Sequence, residues 1–61
     1  MEGKRLRAIR KQLSWTQVQL AKAVGVAPNS VARWERDEVG ISEPIARLVH
    51  SIVAREKAKR T

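Results

Sequence analysis

Sixty-one residues make one small domain, and thirteen Lys+Arg against six Asp+Glu leave it at +7 with an isoelectric point near 11.3. Such a chain removes only about 60% of its unfolded surface from water, and without cysteine it has no disulfide or thiolate metal site to reinforce a thin core. A lone histidine, no apolar run near the roughly 18 residues of a membrane span and no secretory signal leave a cytoplasmic module suited to an anionic partner.

The apolar residues recur at helical spacing, and no alternating strand pattern interrupts them. Leu6, Ile9 and Leu13 form one stripe of a first helix, with Lys4, Arg7 and Lys11 on the opposite side. Thr16 is a good N-cap for a second helix, and Gln19 three residues later completes a capping box. Trp15 before that cap and Leu20 after it have the spacing of a hydrophobic staple, which gives Trp15 a structural role. The helix continues through Leu20, Ala21 and Val24 and stops at Gly25, where glycine accepts a left-handed backbone.

Pro28 opens a third helix, because its missing N–H has no partner in a first turn anyway. Val31 and Trp34 carry its apolar side, and it ends near Arg36. A polar linker from Asp37 to Ile41 leads to Ser42, which caps a fourth helix with Glu43 and Pro44 in its first turn. Ile45, Leu48, Val49, Ile52 and Val53 give that helix the strongest amphipathic pattern in the chain. Apolar residues then give out, so a frayed basic end is expected over 55–61. The expectation is one all-α domain over 1–61: a compact bundle of four helices, or five if the last segment divides.

The charge is unevenly spread. Five cations crowd the first eleven residues, whereas Glu35, Asp37, Glu38 and Glu43 make 35–46 acidic. Few cellular anions other than nucleic acid are polymeric enough to use several basic residues at once. No Gly-rich phosphate loop, paired-carboxylate site or nucleophile–base arrangement is visible, and His50 falls on the flank of the fourth helix, so neither an enzyme nor a metal site is expected. No cofactor or small-molecule ligand is evident.

Two short helices joined by a tight Gly-containing turn over residues 17–36 fit a helix-turn-helix. Leu20, Ala21 and Val24, then Gly25 and Val26, then Val31 and Trp34 supply its apolar, small and left-handed positions. The longer run from Leu6, Ile9, Arg10 and Leu13 through Trp15-Thr16-Gln17, Leu20-Ala21, Val24-Gly25-Val26 and Ser30-Val31 to Trp34-Glu35 resembles the DNA-binding domain of phage repressor/Cro-like (XRE-type) transcriptional regulators. The resemblance covers residues 4–36 and implies a third helix lying in the DNA major groove.

Carried over by position, the resemblance implies base contacts from Pro28, Asn29, Ser30 and Arg33. Arginine pairs bidentately with guanine and asparagine with adenine, while proline offers only van der Waals contact to a thymine methyl. It implies a phosphate contact from Gln17 at the start of helix 2. Apart from the resemblance, the nearby basic residues Lys22, Arg36, Arg7 and Lys11 are expected to hold further phosphates. Arg10 and Glu35 match a structural salt bridge. Three departures stand out: Ala27 replaces the usual Ser or Thr cap; Asp37 replaces a common glycine, where it and Glu38 would repel a phosphate; and Ser42 onward reads as one longer helix where the family often closes with two short ones. The function expected is sequence-specific binding of double-stranded DNA as a transcriptional regulator, as a homodimer through helix 4 on a palindromic site. The alternative is a protein-interaction or antitoxin-like module on the same fold.

Overall fold

The computed structural model describes residues 1–59 and places four helices in them: α1 (Gly3–Gln12), α2 (Gln17–Val24), α3 (Pro28–Glu35) and α4 (Glu43–Lys59). No strand occurs among the described residues. Helices α2 and α3 pack most closely, α1 lies against α3, and α4 rests on α2. Each helix contributes a large side chain almost wholly removed from water: Leu6, Leu20, Val31 and Val49. Burying a residue of this size contributes about 1.5–3 kcal/mol. Ile9, Leu13 and Ala21 complete the cluster, with Trp15, Trp34 and Ile45 among the half-buried residues around it.

Local chemistry sets the helix limits. The Thr16 hydroxyl accepts from the Gln19 N–H at 3.2 Å, and the Gln19 side chain accepts from the Thr16 N–H at 2.7 Å. Gly25 closes α2 at φ +88°. Two other helix ends use the same left-handed device without glycine. Ser14 at φ +59° ends α1, where the Trp15 N–H returns to the Arg10 carbonyl. Asp37, also at φ +59°, ends α3, where its N–H reaches the Trp34 carbonyl and that of Glu38 the Arg33 carbonyl. Each turn satisfies carbonyls that the helix would otherwise leave open. Ala27 gives α3 no side-chain cap, and Pro28 takes the position where an N–H is dispensable.

The structure departs from sequence expectation along α4. Its helix does not give way at Arg55 but continues regularly to Lys59. Ala54, Arg55, Lys57 and Ala58 are strong helix formers, and half-buried Glu56 pairs with Lys59 at 3.5 Å. Arg60 and Thr61, the remainder of the expected frayed end, lie outside the described residues. Leu48, counted in the apolar stripe, is 36% exposed at the edge of the helix. Ala46, Val49 and Ile52 form the buried side instead.

Candidate nucleic-acid interface

Helix α3 has two unlike sides. Val31 is sealed in the core and Trp34 is half-buried, whereas Asn29 and Arg33, one turn apart, are exposed. Pro28 is exposed at the first position of the helix, and Ser30 is half-buried at the margin. The outer face of α3 therefore offers a carboxamide and a guanidinium side by side. Arg7, Lys11, Lys22 and Arg36 are all exposed.

Beside the C-terminal end of α3, three helices meet in one hydrogen-bonded cluster. The Arg10 guanidinium donates from Nε to Glu35 Oε2 at 2.7 Å and from Nη2 to Oε1 at 3.1 Å. Its Nη1 donates to the Trp15 carbonyl at 2.8 Å, holding the α1–α2 connection. Gln17, the first residue of α2, donates from Nε2 to Glu35 Oε1 at 3.3 Å. The Arg10 and Glu35 side chains are only 13% and 5% exposed. Burial alone pushes the Glu35 carboxyl up, but hydrogen bonds from Arg10 and Gln17 and the charges of Arg10 and Arg7 outweigh it. The result lies below the ordinary value of 4.5. The hydrogen bond to Glu35 raises Arg10 despite its own burial, so the guanidinium stays charged.

A group whose folded pKa is depressed stabilises the fold above its unfolded pKa and ceases to do so as pH falls through the folded value. The Glu35 contribution is therefore in place above about pH 4.5 and disappears in more acidic solution. Urea midpoints measured at about pH 7 and about pH 3 should fall on acidification, and fall less in a Glu35→Gln variant.

Both carboxylates of the acidic loop after α3 have partners within the fold, while both residues remain exposed. The Asp37 carboxylate accepts the Gly3 N–H at 2.9 Å, capping the start of α1, where Glu2 forms no side-chain cap. Negative charge at a helix N-terminus is favourable. Glu38 is ion-paired with Arg36, both side chains remaining well exposed. Gly3 makes this arrangement sterically possible, because a β-carbon there would lie 2.2 Å from the Trp34 carbonyl oxygen and 2.7 Å from that of Glu35. Sequence reading passed over Gly3; a glycine opening a helix is the signal of a close backbone approach that could have found it. It also missed the Gln17–Glu35 bond, which no local pattern announces.

Among the described residues, no His, Cys, Asp and Glu group is placed to hold a metal, and no helix is long and apolar enough to cross a membrane. A family model described as helix-turn-helix matches residues 6–51, most of the chain. Comparison with curated proteins and with solved structures gives no match. With α2 and α3 joined through Gly25 and the match extending across all four helices, the chain belongs to the XRE-type, phage repressor/Cro-like helix-turn-helix family of DNA-binding regulators.

Proposed function

We propose that the domain reads a specific duplex sequence, with α3 lying in the major groove. Asn29 and Arg33 contact base edges, flanked by Pro28 and Ser30. Gln17, Lys22, Arg36, Arg7 and Lys11 hold backbone phosphates. The observation that carries this reading is the pairing of exposed Asn29 and Arg33 on the side of α3 opposite wholly buried Val31. Major-groove recognition needs a rigid helix with bidentate side chains on its outer face.

A single small domain buries little surface on DNA. We therefore infer a homodimer through α4 on a palindrome whose half-sites lie one helical turn apart, about 34 Å. Val49 is spent in the core, whereas Leu48 lines an open cleft of about 140 Å³ with Trp15, Ala23, Ile52, Arg55 and Glu56. On this reading that cleft, between α2 and α4, is where a partner copy docks. We place this regulator in the cytoplasm, with the DNA it binds.

The protein-interaction alternative rests on the acidic Asp37–Glu38 loop and on the missing side-chain cap at Ala27. The pairing of Glu38 with Arg36 and the capping of Gly3 by Asp37 give both carboxylates a use within the domain, which supports the DNA reading. Selection of bound duplexes from a random pool should return a palindromic consensus. Against that consensus, Arg33→Ala should lose about 1–3 kcal/mol and relax preference at one base pair, while binding to random duplex changes much less. Equal loss on both duplexes in a competition assay contradicts sequence reading by Arg33.

A further inference from the structure

Glu35 does more than neutralise Arg10. Its Oε1 accepts from both Arg10 Nη2 and Gln17 Nε2, at 3.1 and 3.3 Å, while Oε2 accepts from Arg10 Nε at 2.7 Å. A carboxylate can only accept hydrogen bonds, so only the amino end of the Gln17 carboxamide can face it. Left alone, a glutamine amide has two nearly isosteric orientations, one of which offers an oxygen, not an N–H, to an arriving anion. Here the choice is made before any ligand arrives. Arg10 holds the carboxylate from two sides, and its third bond, to the Trp15 carbonyl, fixes the guanidinium to the segment leading into α2.

We propose that Glu35 is a positioning residue for DNA binding: it orients the Gln17 carboxamide so that the second Nε2–H is kept for a backbone phosphate. Gln17 also opens α2, where the Gln17 and Val18 backbone N–H groups lack helical acceptors while that of Gln19 is taken by the Thr16 hydroxyl. Side-chain and main-chain donors are thus gathered at one place, and Arg10 acts through Glu35 to keep them there. The inference rests on the reading of Gln17 as a phosphate contact.

Its consequence runs against bulk electrostatics. Removing a carboxylate beside a DNA-binding surface should tighten binding to a polyanion. Removing the group that orients Gln17 should weaken it. The experiment measures affinity for a short random-sequence duplex by fluorescence anisotropy, at a temperature where circular dichroism shows every variant folded. Gln17→Ala should weaken binding about fivefold. Glu35→Gln should weaken it by a similar factor, and the double variant should bind no worse than either single one.

Unchanged or tighter binding by Glu35→Gln overturns the proposal, as does a double variant whose loss is the product of the two single losses. In both cases the reading of Gln17 as a phosphate contact still stands. Full affinity in Gln17→Ala removes that reading and the proposal with it. Should Glu35→Gln fail to fold, the wild-type domain carries its own readout. One of the two Gln17 Nε2 protons should resonate downfield of a free amide, and two protons at free-amide positions overturn the proposal.

Discussion

Gly3→Ala is expected to cost the domain about 3 kcal/mol, enough to remove much of its stability. The added methyl carbon would stand 2.2 Å from one backbone carbonyl oxygen and 2.7 Å from another. Neither oxygen belongs to a side chain that can swing away. The nearer one, of Trp34, also accepts the Asp37 N–H at 3.1 Å, so moving it breaks the turn that closes α3. Sliding α1 outward instead by about 1 Å would loosen Leu6, which is wholly buried, and stretch the Gly3–Asp37 hydrogen bond. Marginal stability of about 0.05–0.15 kcal/mol per residue leaves little reserve in so short a chain. Thermal unfolding should shift down by more than about 10 °C. Gly40→Ala is the control, since a β-carbon there meets nothing within 4 Å, and its midpoint should stay within about 0.5 kcal/mol of wild type.

The second large effect is expected at Arg10. Its removal by Arg10→Ala leaves Glu35, 5% exposed, as a buried carboxylate without its ion-pair partner. It also deprives the Trp15 carbonyl of its donor. Breaking one side of such a pair costs about 3–5 kcal/mol, mostly from the charge left behind. Replacing both members by apolar residues of similar volume, Arg10→Met with Glu35→Leu, should recover much of that loss in urea denaturation. A double variant as unstable as Arg10→Ala would place the energy in packing of the arginine stem. The exposed Arg47–Glu43 pair on α4 supplies the contrast: with side chains 79% and 72% exposed, its loss should be close to experimental error.

How much of this structure sequence reveals depends on the range of the chemistry. Helix α2 is readable at both ends because Thr16 and Gln19 cap it within four residues and Gly25 stops it. The ends of α1 and α3 are harder. Ser14 and Asp37 adopt the left-handed backbone without being glycine, and nothing beside them in sequence announces it. The period of α4 identifies a side but not its depth, so Leu48 emerges at the edge once the helix rests on α2. Its C-terminal turns persist because helix propensity and the Glu56–Lys59 pair replace the apolar residues that run out.

The interface divides in the same manner. The exposed side of α3 follows from helical spacing around Val31. The Gly3–Asp37 bond spans 34 residues and the Gln17–Glu35 bond 18, and neither belongs to a pattern that repeats along the chain. Resemblance pointed to Arg10 and Glu35 as partners. It did not point to Gln17 as a third member. Those contacts exist only once α1 and α2 have been brought against the end of α3, which is why tertiary geometry was needed to find them.

Helix α3 is fastened at both ends, by the tight turn from α2 and by Gly3, Arg10 and Asp37 at its close. Its outward residues Asn29 and Arg33 stand in solvent, clear of those fastenings. In the proposed recognition, holding and reading fall to different side chains. On that reading, a change of target needs only an exchange of outward residues while the scaffold keeps its stability, so descendants of this sequence could diverge in preference without first becoming more robust.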